Sequence, residues 1–256
     1  MNKASDRAHP FQRASFYVNQ HPPPIVSDHA DPPETLDASF FDRPADNVAQ
    51  DLIGCVLRRF LDNTWVGVQI VETEAYGLDD TASHAFRGRT PSREPMWMDP
   101  GTIYMYHSRA GPSLNISCGT GPEAVLIKAG IPISDRRSSD LSFDVLHRRN
   151  PGPDGLSRRT NIRLCAGQTL LCRALELAVA DWTARPFNHN SFYIESRKER
   201  PRIICALRLG ITPDRDDGRL ARYIDHDLAD AATSNPMRRR GARMGHDYRD
   251  VGLTPT

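Results

Sequence analysis

The string "WVGVQIVETEAY" occupies residues 65–76, and its alternation decides how the rest of the chain is read. Val66, Val68, Ile70, Glu72, Glu74 and Tyr76 share one parity, so an unbroken strand points all six to one face. That face would run from apolar to acidic to aromatic, which suits neither a plain core nor a plain surface. A buried carboxylate is costly unless it is paired or put to use. The end of this strand is therefore a candidate site.

Working outward, "CVLRRF" reads as a preceding strand, joined through the turn "LDNT". "GTIYMYHS", "SLNISC" and "AVLIKAG" read as three more strands, and "RIICALRLGI" and "RLARYI" as closing ones. "DRPADNVAQDLIG" has the marks of a short helix, with Asp42 as cap, Pro44 in the first turn and Gly54 as stop. "QTLLCRALELAV" has helical spacing through Leu171, Ala174, Leu175 and Ala178. Strands dominate the front half and no βα alternation appears. The expected fold class is α+β: a single domain with a curved, mostly antiparallel sheet and a few helices. That domain spans 38–225. Residues 1–37, rich in Pro, Asp, His and Ser, read as a disordered leader, and 226–256, poor in apolar residues, as a disordered tail.

The chain has 256 residues, 39% of them hydrophobic, and its mean hydropathy is −0.53, which fits one domain with polar flanks. A formal net charge of +1 does not announce a nucleic-acid binder. Five cysteines, odd in number and without a CxxC pair, argue against a zinc site or a full disulfide framework. Free thiols point to a reducing compartment, hence the cytoplasm. No apolar run approaches the ~18 residues of a spanning helix. One stretch is basic: Arg136, Arg137, Arg148, Arg149, Arg158, Arg159 and Arg163 face only Asp140, Asp144 and Asp154. Arginine forks suit phosphate oxygens, and a solvated loop accounts for them equally well.

The side chains able to do chemistry fall at strand ends. Glu72, Glu74 and Tyr76 close one strand, and His84 follows in a loop. Tyr104 and Tyr106 share a face of the next strand, Asn115 lies on the one after, and Lys128 shares parity with Ala124 and Leu126. Were these strands neighbours, a cleft would gather a carboxylate, three phenol rings, an imidazole, a carboxamide and an ammonium. Rings that sandwich a flat group, beside a carboxylate able to activate water, suit cleavage of a bond to a nucleobase.

"VETEAY", "SHAFRGRTPSREPMWMDPGTIYMY", "LNIS" and "AVLIKA" follow one another over 71–129, within a resemblance that covers roughly 38–225. In this order they resemble the eukaryotic-type 3-methyladenine (alkyladenine) DNA glycosylases. The resemblance implies a monofunctional enzyme that flips a damaged purine out of duplex DNA, acts as a monomer and needs no cofactor or metal. It implies Glu74 as general base, Tyr76 and Tyr106 as stacking walls, His84 as a hydrogen-bonding group and Leu126 as part of the pocket. Asn115 would disfavour guanine by crowding its amino group. Alkylated purines are cationic, so electron-rich rings attract them by about 0.5–2 kcal/mol each. Glu72 shares the parity of Glu74 and is the rival base, or a structural partner to an arginine.

Two departures stand out. The family's aromatic-rich stretch after Y-x-Y is here "HSRAGPSLN", so either Arg109 or Pro112 stands in for the tyrosine that wedges into the minor groove, or another residue supplies the wedge. Lys128 stands where the family carries an arginine that helps hold the attacking water, with the backbone near Ile211 as a second holder. A lysine there keeps the charge, loses the planar fork, and admits a Schiff-base route with strand nicking. The alternatives are a non-catalytic lesion-binding DNA module and a metal-dependent hydrolase built on Glu72, Glu74, Asp79, Asp80 and His84.

Overall fold

A computed structural model describes residues 34–119, 121–215 and 218–252. The helices are α1 (Ala38–Phe41), α2 (Ala45–Leu52), α3 (Leu141–Arg149), α4 (Gln168–Ala174) and α5 (Val179–Trp182). The strands are β1 (Val56–Leu61), β2 (Thr64–Tyr76), β3 (Ile103–Ser108), β4 (Gly111–Cys118), β5 (Glu123–Ile133), β6 (Phe192–Glu195), β7 (Ile203–Leu207), β8 (Leu220–Asp225) and β9 (Tyr248–Asp250). Among the described residues they form one nine-stranded sheet, ordered β3-β4-β5-β2-β8-β7-β9, with β1 on β2 and β6 on β1. Every pairing is antiparallel. The α+β expectation therefore holds.

β1 and β2 form a hairpin through Asp62 and Asn63, whose φ values are +48° and +61°. Two consecutive left-handed residues give the turn that matches strand twist, and Asp and Asn tolerate that conformation. β2 then runs for 13 residues, long enough for two partners in succession along one edge. Its first half pairs with β1, its second with β8, and β5 lines the other edge.

The single-face reading of β2 is corrected here. The β2–β5 register slips between Ile70 and Thr73, and Val71 and Lys128 have no direct partner. Such a bulge moves the following side chains to the opposite face. Val66, Val68 and Ile70 join the main core, and so does Ala75. Thr73 also faces that side, its hydroxyl donating to the Ala49 carbonyl of α2 at 2.8 Å. Glu72, Glu74 and Tyr76 face away from it. The main core lies between the sheet and its helices, with Val48 and Leu52 of α2, Val145 and Leu146 of α3, and Leu171 and Cys172 of α4 packed on strand residues such as Leu114, Ile116 and Ile127. All five cysteines are buried and unbridged.

Several local expectations change. Asp42 does not cap α2; Asp37 caps α1 instead, accepting from the Ser39 amide at 2.9 Å. The helix expected over "QTLLCRALELAV" ends at Ala174, because Glu176 turns to φ +51°, and α5 begins only at Val179. Of the expected leader, 1–33 lies outside the described residues, while Leu36 donates its amide to the Ile194 carbonyl at 3.0 Å. The expected tail is structured as far as it is described. Ala229 and Ala232 are buried against Ile204 and Ile224, and β9 pairs with β7. Small alanines and two strand residues suffice there, a signal too sparse for a hydrophobic count. The arginines of 136–163 are largely committed: Arg148 and Arg149 to Asp62, Arg158 to Asp144, and Arg163 to the Asp230 and Ala232 carbonyls.

Glu72 and Arg222 make a buried ion pair, 0% and 2% exposed, across β2 and β8. Glu72 also accepts from the Thr233 amide at 2.7 Å, and Arg222 donates to the Ser234 carbonyl. Removing one partner strands the other charge. Arg222→Met is therefore expected to lower unfolding stability by about 3–5 kcal/mol, read as a fall in the urea midpoint. An unchanged midpoint would contradict this.

Candidate active site

One row of directly opposed residues crosses the sheet on the face away from the main core. It runs Tyr104, Asn115, Leu126, Glu74, Arg222, Ala206, Tyr248, one residue from each of β3, β4, β5, β2, β8, β7 and β9. Opposed residues share a face. The alternation of each strand thus delivers the residues singled out in sequence to one place, beneath a cavity of about 770 Å³.

Glu74 is 0% exposed and forms the base of the site beneath that cavity. Lys128 Nζ reaches its Oε1 at 2.9 Å, the Leu209 amide donates to the same oxygen at 3.1 Å, and the Tyr76 hydroxyl donates to Oε2 at 2.8 Å. Lys128, Tyr76 and Leu209 all line the cavity. Lys128 also donates to the Leu209 carbonyl at 3.4 Å. The peptide beside the carboxylate is thus that of Leu209, whereas Ile211, the residue expected there, lines the cavity wall. Glu72, the rival base, is committed to Arg222 and the Thr233 amide.

The rings gather on the β3 side. His84 lies 4.4 Å from Tyr106 between centroids, and its Nδ1 is 2.7 Å from the Tyr104 hydroxyl. Burial, and then Arg93, Arg215 and Arg87, lower the His84 pKa to about 4, so the imidazole is neutral near pH 7. Burial likewise raises the phenols of Tyr76, Tyr104 and Tyr106, which keep their protons. A Tyr104 hydroxyl that donates to Nδ1 leaves the imidazole proton on Nε2. Asn115, 3% exposed, is oriented by donating Nδ2 to the Tyr104 carbonyl at 3.2 Å. Leu126 lies beside it on the cavity wall.

Two loops close the site, and they are tied together. Asp80 pairs with Arg208, which also donates to the Ala75 carbonyl at 3.1 Å and lies 4.8 Å over the Tyr76 ring. Arg215 donates to the Thr81 carbonyl at 2.8 Å and the Ser83 carbonyl at 3.2 Å. Asp80 and His84 are thus engaged separately, and among the described residues no three of His, Cys, Asp and Glu converge as a metal site would require. Arg109 is exposed in the β3–β4 turn at the rim, whereas Pro112 sits opposite His107 in the ladder and does not line the cavity.

Sequence reasoning missed Leu209, Arg215, Gln168, Thr169 and Thr233, all on the cavity wall. "RLGI" carried a hint for the first. Thr233 had none, since it lies in the segment set aside as a tail. A second cleft, of about 910 Å³, opens on the helix side among Arg59, Glu176, Asp181 and Trp182 and contains none of the residues singled out in sequence as candidates.

Acidification should expose the state of His84. Its folded pKa lies below the ordinary 6.5, so the unfolded chain binds more protons between those values. Its contribution is fully present above about pH 6.5 and is lost as pH falls through about 4. Urea midpoints across this window should fall more steeply for the wild type than for His84→Gln. Parallel curves would contradict a buried neutral imidazole.

The comparisons agree with this geometry. The family profile "Methylpurine-DNA glycosylase (MPG)" matches residues 39–228. A Pseudomonas aeruginosa (strain LESB58) protein named "Putative 3-methyladenine DNA glycosylase" is 43% identical over 218 residues, covering 85% of this chain and 90% of the relative. A Pseudomonas savastanoi pv. phaseolicola protein of the same name is 42% identical over 217 residues, 84% of this chain and 96% of the relative. A Nitrobacter winogradskyi protein, also so named, is 34% identical over 203 residues, 75% and 86% respectively. The chain belongs to the methylpurine-DNA glycosylase family.

Proposed function

We propose that the chain excises alkylated purines, 3-methyladenine foremost, from duplex DNA by hydrolysing the N-glycosidic bond. The observation that carries this reading is the fully buried Glu74, held by Lys128, Tyr76 and the Leu209 amide beneath a cavity walled by Tyr76, His84 and Tyr106. 7-Methylguanine, hypoxanthine and etheno-adenine are further candidates.

The damaged nucleotide leaves the stack and its base enters among the rings, at a few kcal/mol of unstacking. A cationic purine is attracted by the ring faces and is already a good leaving group. Water attacks C1′, its proton passes to Glu74, and the electrons of the broken C–N bond return to the base. One carboxylate then suffices, without the paired acid of a glycosidase. The Lys128 ammonium and Leu209 carbonyl stand beside the carboxylate and suit holding that water. Lys128 is committed to Glu74 at 2.9 Å, which favours this electrostatic part over a Schiff base. His84, protonated on Nε2, offers a hydrogen bond to a ring nitrogen or exocyclic oxygen. Asn115, fixed by the Tyr104 carbonyl, is suited to crowd a guanine amino group. Arg109, exposed at the rim, is the better placed of the two wedge candidates.

Single-turnover excision from methylated and hypoxanthine-containing duplexes, in EDTA, tests this. Wild type should give strand breaks only after alkali. Glu74→Gln should lose at least about 10²-fold in rate, the lower range for a general base, while still binding DNA. Breaks without alkali would give Lys128 a lyase role. Binding without excision by wild type would leave a lesion-binding module in place of an enzyme.

A further inference from the structure

The family match ends at residue 228, and the chain beyond it changes character. Between Pro236 and Arg249 five arginines stand against one aspartate, in a protein whose formal net charge is only +1. The fold determines which side of the molecule receives them. Arg222, Ala206 and Tyr248 stand in the same cross-strand row as Glu74, and Ile204 and Ile224 are opposed to each other next to that row on the same face. Ile204, Ala206 and Ile224 are covered by Ala229, Ala232, Met237 and Tyr248. The segment therefore lies over the cavity face of β7 and β8, beside the site.

Its attachment is firm. Glu72 holds the Thr233 amide, Arg222 holds the Ser234 carbonyl, and Asn235 donates to Asp230 at 2.7 Å. Thr233 is itself part of the cavity wall. Arg238 pairs with Asp230. Arg239 and Arg240 follow, both exposed, and among the described residues neither has an ion pair. The Ala242 amide donates to the Arg239 carbonyl at 3.0 Å, which turns the chain back towards β9. From Thr233, six or seven residues span at most about 20–25 Å. Each DNA strand carries one phosphate per ~3.4 Å of axis. The Cα atoms of both arginines thus lie within about 25 Å of the cavity wall, the axial span of roughly seven base pairs.

We infer that the turn bearing Arg239 and Arg240 grips the phosphate backbone of the duplex alongside the flipped nucleotide. It extends the DNA-binding surface with residues that the family profile does not reach. The inference rests on the glycosylase reading above. The arginines of 136–163 make the contrast: α3 packs on the helix side of the sheet, and Arg148 and Arg158 are paired with Asp62 and Asp144.

The test is the salt dependence of full-length protein binding to a lesion-free duplex, read by fluorescence anisotropy. Each phosphate contact contributes about −0.9 to the slope of log K against log salt. Arg239→Gln/Arg240→Gln should bind more weakly and make the slope shallower by about 1.8. Its urea midpoint should match the wild type, as expected for two exposed side chains, which reports an intact fold. Arg148→Gln/Arg158→Gln should leave the slope as in wild type. An unchanged slope in the first variant, or an equal loss in the second, would overturn the inference while leaving the glycosylase reading intact. Absence of both duplex binding and excision in wild type would overturn both.

Discussion

A carboxylate cut off from water persists in a protein only when donors surround it, and Glu74 has three from three parts of the chain. Lys128 comes from the neighbouring strand, Tyr76 from two residues along its own strand, and the Leu209 amide from the loop after β7. Each donor also lines the cavity, so the contacts that make burial tolerable also build the wall against which a base would lie. The second buried pair, Glu72 with Arg222, does a parallel service one step along the strand and fastens the chain beyond β8 to the same face. The cavity side of the sheet is held largely by charge and hydrogen bonds, the helix side by packed hydrocarbon.

That division depends on the bulge in β2. Without it Glu72, Glu74 and Tyr76 would follow Val66, Val68 and Ile70 into the main core, among packed hydrocarbon side chains. With it, one strand serves the core along its first half and the site along its second. The slip is shared with β5, where Lys128 has no direct partner and turns to the cavity with Ala124 and Leu126.

The strands were legible because their apolar residues alternate cleanly, and the hairpin because Asp-Asn can take two left-handed conformations. The site residues were legible as types at strand ends. Their convergence rested on a strand order that alternation alone does not give, and the bulge was not legible at all: "QIVET" alternates as well with it as without it. β6 and β9 escaped notice because each is four residues or fewer. The segment from 226 was misjudged because it docks through alanines and main-chain bonds to Glu72 and Arg222. The Leu209 contact was missed because a backbone amide leaves no mark on side-chain identity.

The five thiols carry a consequence of their own. All are enclosed, and burial pushes Cys55 and Cys205 up to about 11 and Cys172 to about 12, with Cys118 and Cys165 also raised. At a pKa of 11 only about one thiol in 10⁴ is thiolate at pH 7, and the thiolate is the nucleophile. Electrophiles that methylate purines attack thiolates as well. Enclosure and a raised pKa act together, so the five sulfurs of this chain present such reagents with almost no thiolate to attack.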